Sequence, residues 1–153
     1  ISARKEIESF PAVNLVSYSD GLLGNGSGVP YLYLTTLDFT AKDLAKDNRA
    51  SMLMSLAQGE YCRNKRWDPM DPRCARILLT GKIKPVSRYF ISKKAVFTRH
   101  PGLINMPADH HFYFAKLKII SVVVLDTFGV SNYKSLLIHF CYVLFAVLCV
   151  FFP

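Results

Sequence analysis

Apolar and polar residues alternate in two runs near the start of the chain, one on each side of a glycine-rich segment. In the second run, Tyr31 and Tyr33 alternate with Leu32 and Leu34, and the first run, residues 13–18, has the same period. A period of two residues predicts β-strands, because successive side chains of a strand point to opposite faces. The segment between the runs contains Asp-Gly and Asn-Gly-Ser-Gly, which tolerate the positive φ angles of a strand connection. The pattern predicts the first hairpin of an antiparallel β domain.

The rest of the chain continues with strands and short helices. Thr40–Asn48 predicts a helix with Thr40 as its cap, Asp43 in a capping box and Leu44 as its apolar anchor. Gly81 indicates a bulge in the strand that contains it. The other predicted elements are strands at Ala50–Leu56, Ala75–Pro85, Phe112–Ile120 and Ser121–Leu125, and a helix at Lys93–Thr98. Five or six strands with short helical connections predict a mainly β fold, a closed or partly closed barrel.

The net charge of +8 over 153 residues changes this picture little. The length predicts one domain. No zinc-finger spacing, basic helix or RNA-binding aromatic motif accompanies the lysines and arginines, so we expect no specific nucleic-acid recognition. The charge still permits electrostatic attraction to anionic partners, which does not depend on nucleotide sequence.

The C-terminal segment Leu136–Phe152 is apolar, carries no formal charge at pH 7 and is interrupted only by His139. As a helix it would span about 25 Å, slightly less than a hydrocarbon core. Three interpretations stay open: a membrane tail, a buried terminal segment, or sequence foreign to the domain. A membrane partner is expected only if this segment is a genuine anchor.

Cys62 and Cys74 flank a polar excursion between two predicted strands. Because strands leave and re-enter the sheet there, the two Cα atoms can come within disulfide range. The alternative is a pair of free cysteines in a cytosolic protein. We favour the disulfide, which implies an oxidising compartment.

Asn25-Gly-Ser forms an N-glycosylation sequon, with Asn25 as the acceptor. Together with the cysteine pair, it fits a lumenal or secreted protein. His100, His110 and His111 raise a metal hypothesis, but adjacent histidines on a strand would point to opposite faces. We therefore expect no metal site.

Several blocks, in order along residues 10–129, resemble one known family. They are Asn14-x-Val-Ser-Tyr-Ser-Asp-Gly21, Gly26-Ser-Gly-Val-Pro-Tyr-Leu-Tyr-Leu34, Arg49-Ala-Ser51, Cys62 with Asp68-Pro69 and Cys74, Phe97-Thr-Arg-His-Pro101, His111-Phe-Tyr-Phe-Ala-Lys-Leu117 and Val124-Leu-Asp-x-Phe-Gly129. Together they are similar to the CREG family of secreted, endolysosomal glycoproteins. After Gly129 the family continues with a second glycine and a proline, whereas Val130 begins an unrelated run here.

The resemblance implies a fold: the six-stranded Greek-key split barrel of the pyridoxamine phosphate oxidases, which bind FMN and dimerise. The barrel would occupy residues 1–129, with a divergent apolar tail at 130–153. The first strand would be truncated, and Ile1–Arg4 would be its remnant. A homodimer is the expected assembly.

The resemblance also implies where a flavin would lie. In the oxidase relatives an Arg-Lys pair holds the FMN phosphate; here Thr35, Thr36 and Lys42 are the corresponding cofactor-binding candidates, and Lys42 is the only cation of that pair. A phosphate left with one cation loses the charge-assisted contacts that dominate such binding. We therefore expect no cofactor and no catalytic residue, with FMN-dependent oxidoreductase chemistry as the alternative. The family implies a non-enzymatic regulator of growth or differentiation that binds a receptor or another protein.

Overall fold

The computed structural model describes residues 2, 4–22, 24–87, 89–127, 130–133 and 147–151. Its strands are β1 (Ala12–Val16), β2 (Tyr18–Leu22), β3 (Asn25–Thr35), β4 (Arg49–Ser55), β5 (Arg76–Pro85), β6 (Phe112–Thr127), β7 (Val130–Tyr133) and β8 (Val147–Phe151). Its α-helices are α1 (Phe39–Lys46), α2 (Glu60–Asn64) and α3 (Tyr89–Arg99). The predicted mainly β fold with short helices is confirmed.

The strands form one antiparallel eight-stranded sheet in the order β1-β8-β4-β5-β6-β3-β2, with β7 paired to β6 outside that path. Only Ser17 separates β1 from β2, so one stretch of chain lies at both ends of the strand order. Among the described strands no ladder joins β1 to β2, and the sheet is not closed by hydrogen bonds. Within the described residues there are eight strands rather than six, since β7 and β8 come from the segment expected to be a tail.

The core lies on the inner face of this curved sheet, where the alternating pattern places aliphatic side chains. Leu32 and Leu34 of β3 point inward, and Tyr31 and Tyr33 lie on the outer face. The other fully buried core residues include Met52, Leu79, Ala115 and Leu117. Leu44 of α1 is buried with them, as its apolar character predicted.

Three details differ from the predicted elements. The cap of α1 is Asp38, whose carboxylate accepts from the Thr40 backbone N–H at 2.8 Å, so the predicted Thr40 cap is wrong. Phe112–Thr127 is a single strand rather than two. The predicted hairpin forms between β2 and β3, but its connection is shorter than predicted, because Asn25 and Gly26 already pair with Leu22 and Gly21 of β2.

Gly81 is a bulge, as predicted. The β5–β6 register shifts between Thr80 and Gly81. A Cβ atom on Gly81 would lie 2.1 Å from the backbone oxygen of Lys118, so the two strands approach too closely there for any side chain.

At the two ends of the chain, the described residues differ in their relation to the sheet. Ser2 and Arg4 lie outside the strands, and Ser2 donates its backbone N–H to the Phe10 carbonyl at 3.0 Å. Most of Leu136–Phe152 lies outside the described residues, but β8 belongs to it and pairs with both β1 and β4. Within the part of the chain that is described, no helix combines the length and hydropathy needed to cross a bilayer.

Candidate functional site

The predicted cofactor residues lie around the end of β3. Thr35 is its last residue, and its hydroxyl donates to the backbone carbonyl of His110 and accepts from the Leu37 N–H at 3.2 Å. Thr36 is exposed in the following turn, and Lys42 is exposed on α1. Among the described residues, no hydrogen bond or ion pair links the Lys42 side chain to either threonine. The three residues are close in sequence, but no contact gathers them around a common point.

A buried ion pair joins β2 to the C-terminal end of α3. The Arg99 guanidinium lies 2.7 Å from the Asp20 carboxylate, and the two side chains are only 13% and 10% exposed. Arg99 also donates to the Gly21 carbonyl at 3.1 Å. Sequence reasoning missed this pair, because the two residues are 79 positions apart and neither position is distinctive alone.

The same junction includes Tyr18 and His100. The His100 Nε2 atom lies 2.7 Å from the Tyr18 carbonyl oxygen. Burial raises the pKa of the Tyr18 phenol to about 12, an effect that Arg99 opposes and Asp20 reinforces. The neighbouring β3 has a glycine, Gly26, next to the Asp20 carboxylate. A Cβ atom at this position would lie 2.0 Å from that carboxylate, so a larger residue would collide with it.

A second polar network ties β1 to the start of α1. The Asn14 side-chain amide donates to both carboxylate oxygens of Asp38, at 3.3 and 3.1 Å, and to the Thr40 hydroxyl at 2.7 Å. Asp38 at the same time caps α1. The helix that carries Lys42 is therefore fixed against the sheet at its first turn.

Cys62 and Cys74 form a disulfide, so the favoured pairing is confirmed. The Cα atoms are 5.7 Å apart, and both cysteines are buried. The excursion that they close carries α2 and a small aromatic–cation cluster: the Arg73 guanidinium lies 4.8 Å from the centre of the Trp67 ring. Hydrogen bonds from Arg73 hold the pKa of the Asp71 carboxyl below its usual range.

The outer face of β3 and β6 carries an aromatic cluster under α3. Tyr33 stacks on Phe112, with ring centres 4.7 Å apart, and meets the edge of Phe97 at 5.3 Å. Beside the helix lies an open cavity of about 350 Å³, lined by Phe90, Lys93, Lys94, Phe97, Thr98 and Ile104. Phe90 is 78% exposed and Ile104 is 57% exposed, so Phe90 is the more exposed of these two apolar residues that line the cavity.

His100, His110 and His111 do not come together as a metal-binding group. His110 ends a short 3-10 helix and His111 adopts a left-handed conformation, so the strand geometry used in the argument against joint metal ligation does not apply to them. In the described part of the chain, no group of three histidine, cysteine, aspartate or glutamate side chains has the arrangement of a metal site. Asn25, the sequon acceptor, is exposed at the start of β3.

Comparison with known proteins identifies the family of this chain. A family model described as "CREG, beta-barrel" matches residues 1–135. The chain belongs to the CREG family. Protein CREG1 of Gallus gallus is 44% identical over 84% of this chain and 69% of its own length. The CREG1 proteins of Mus musculus and Homo sapiens are 40% and 38% identical, and the aligned part covers 60% of each.

Solved structures support the same fold. A heme binding protein from Mycobacterium smegmatis superposes with a TM-score of 0.59 at 18% sequence identity, over 83% of this chain and 53% of that one. A second solved structure has a TM-score of 0.55 at 21% identity, over 87% of this chain and 89% of the other. At these identities the likeness concerns the fold alone, and it bears out the split-barrel prediction.

The fold brings together the sequence blocks on which the CREG resemblance rested. The block that ends at Gly21 meets Phe97–Pro101 through the Asp20–Arg99 pair, and Gly26 of a third block makes room for the carboxylate. These CREG-like blocks are thus parts of one buried junction. Its groups are paired with one another, which gives the junction a structural role.

Proposed function

We propose that this CREG-family protein is a secreted or endolysosomal glycoprotein that regulates cell growth or differentiation by binding a receptor or another protein, and that it is not an enzyme. The observation that carries the non-enzymatic part of the proposal is the hydrogen bonding of Thr35. Its hydroxyl is committed to the His110 carbonyl and the Leu37 N–H, at the end of the strand where the family resemblance places a flavin. The chain spans about 60% of the length of the mouse and human CREG1 proteins, so the activity of the whole protein is part of the proposal.

The remaining candidates do not fit a flavin phosphate. Lys42 is a single exposed ammonium group, whereas a dianionic phosphate is held best by several donors, preferably with a bidentate arginine. The Asp38 carboxylate, two positions after Thr36, is directed at Asn14 and Thr40. The residues around the end of β3 therefore favour packing over cofactor binding.

The disulfide and the glycosylation sequon support the proposed secreted or endolysosomal location. A disulfide between Cys62 and Cys74 persists in an oxidising lumen or outside the cell. Asn25 is exposed, and a glycan there would project into solvent without disturbing the core.

Protein binding is supported by the exposed apolar side chains around α3. Tyr89, Phe90 and Ile104 are each more than half exposed. Contiguous exposed apolar surface is typical of protein interaction sites. We also propose a homodimer, which sedimentation velocity would detect as a species of twice the chain mass.

The functional proposal is tested with labelled, purified protein added to intact cells. We expect saturable binding that unlabelled protein displaces, together with a change in proliferation at the same concentrations. The Cys62→Ser/Cys74→Ser variant, which lacks the disulfide, is the control that shows whether binding depends on the disulfide-closed surface. Binding that does not saturate, or saturable binding without any effect on growth or differentiation, would contradict the proposal.

The alternative, an FMN-dependent oxidoreductase, is tested by absorbance and titration. We expect purified protein to be colourless and to leave FMN fluorescence unchanged at micromolar concentrations. A yellow preparation that loses its flavin on Lys42→Ala would establish the alternative instead. Haemin belongs in the same titration, because one structural neighbour is a heme binding protein.

A further inference from the structure

Four lysines lie opposite one another on the outer face of β5 and β6. Lys82 pairs with Lys118 and Lys84 pairs with Lys116 in the antiparallel register. Directly paired residues of antiparallel strands share a face, about 5 Å apart across the strands and about 7 Å apart along them. Lys82, Lys84 and Lys118 are exposed, and Lys116 is half-buried. We call these four residues the lysine quartet.

The quartet works against the stability of the sheet. Like charges directly opposite one another on neighbouring strands repel, whereas opposite charges would attract. Among the described residues, the ion pairs involve arginines, and none of the four ammonium groups has a carboxylate within 4.0 Å. In the described part of the chain, the repulsion among the four lysines is therefore not offset by a carboxylate in direct contact with any of them.

The charged surface continues onto the neighbouring strands. Arg49 of β4 pairs with Lys82, so a row of three cations crosses β4, β5 and β6. Arg49 also contacts Asp47 at 2.5 Å, which places one carboxylate at the edge of this row. In the second row, Tyr31 of β3 pairs with Lys116.

We propose that the lysine quartet is a binding site for a linear sulfated polysaccharide of the heparin type. Sulfate groups repeat along such a chain at a spacing of several ångströms, and a rigid sheet presents ammonium groups on a comparable grid. Bound sulfates would supply the missing negative charge. The exposed lysines act as point charges, which suit sulfate groups that approach from solvent.

Other anionic partners fit this surface less well. Single-stranded nucleic acid needs aromatic platforms on which bases stack, and Tyr31 is the only aromatic residue in the two rows. A bilayer surface is bound best by cations combined with several apolar side chains that insert into it. Near the quartet Ile120 is the exposed apolar residue, and the next row across β4 and β5 consists of Ser51 and Thr80, which bond to each other at 2.8 Å. The preference for a polysaccharide over nucleic acid also rests on the lumenal location proposed above.

The test compares two variants of equal net charge. Lys82→Gln/Lys84→Gln/Lys118→Gln removes three members of the quartet, and Lys5→Gln/Lys46→Gln/Lys65→Gln removes three exposed lysines elsewhere. Binding of a heparin oligosaccharide of defined length is measured by calorimetry on purified full chain at two salt concentrations. If each cation contributes about fivefold, the quartet variant binds about a hundredfold more weakly, with a shallower salt dependence. The control variant keeps its affinity within about threefold, because long-range charge is screened at physiological salt.

Folding is followed in parallel, because a collapsed variant would mimic a lost site. We expect the quartet variant to melt no lower than the native protein in low salt, since like-charge repulsion has been removed. Equal losses in both variants, or no loss in either, would overturn the proposal. Tighter, quartet-dependent binding of single-stranded DNA or of vesicles with anionic lipid would overturn it as well. These measurements use purified protein, so a wrong compartment would not affect them.

Discussion

Replacing Arg99 by methionine tests whether the junction between β2 and α3 holds the fold together. The substitution keeps an unbranched side chain of similar length but removes the guanidinium, which lies 2.7 Å from Asp20 and donates to the Gly21 carbonyl. The Asp20 carboxylate would then stay buried without its cation. Breaking a buried ion pair on one side costs about 3–5 kcal/mol, so we expect a loss of about 3 kcal/mol in the free energy of unfolding.

A double-mutant cycle separates the pair from its surroundings. Asp20→Asn and Arg99→Met are measured alone and together by urea denaturation with linear extrapolation. We expect the double variant to be at least about 1.5 kcal/mol more stable than the sum of the single losses predicts, because it leaves no uncompensated charge. The single losses are large relative to a typical total stability of about 5–15 kcal/mol.

An exposed ion pair serves as the matched control. Arg63 contacts Glu60 at 3.0 Å, but the two side chains are 77% and 64% exposed. Arg63→Met should cost less than about 1 kcal/mol, because solvent screens the pair. If Arg99→Met cost no more than Arg63→Met, or if the cycle showed no coupling, the reasoning about the junction would be refuted.

Three further predictions concern the strand bulge, the disulfide and Tyr18. Gly81→Ala should lower the free energy of unfolding by about 2–3 kcal/mol in urea titrations, because its Cβ meets the Lys118 backbone; an unchanged midpoint would contradict the bulge. Reduction of the Cys62–Cys74 bond should cost about 3 kcal/mol for this separation of 12 residues, seen as a lower melting temperature with reductant and no such shift in Cys62→Ser/Cys74→Ser. The pKa of Tyr18 is raised from 10.0 to about 12, so its contribution to stability is complete below pH 10 and is lost as the pH rises to about 12. Relative to Tyr18→Phe, the native protein should lose about 2–3 kcal/mol over that interval, and parallel pH profiles would show that the phenol is not shifted.

Local features of the sequence predicted much of the sheet. An isolated glycine in an apolar run indicated the bulge at Gly81, because a strand tolerates glycine best where another backbone approaches. Alternation separated Leu32 and Leu34 from Tyr31 and Tyr33, and the structure places them on opposite faces. These predictions depend on neighbouring residues alone.

The errors also have local causes. Asp38 and Thr40 are both good cap residues two positions apart, and the choice of Asp38 depends on Asn14, a residue of another strand. The polar residues near the middle of β6 suggested two strands, but the bulge opposite Gly81 lets one strand continue through a change of register.

The candidate site was predicted less completely than the fold. The sequon and the cysteine pair can be found from spacing, whereas the Asp20–Arg99 pair joins residues 79 positions apart. One sequence contains no signal that couples two such positions. The lysine quartet has the same origin, since Lys82 and Lys84 alternate visibly along one strand but their partners become apparent only from the β5–β6 register.

Native mass spectrometry of the protein purified from the cells that make it tests the central claim most directly, because one spectrum reports cofactor, glycan, disulfide and assembly. The account predicts a cofactor-free dimer whose chains lose mass on glycosidase treatment at Asn25 and gain two hydrogen atoms on reduction. A stoichiometric flavin that dissociates only on denaturation, on a chain without glycan at Asn25, would contradict the account.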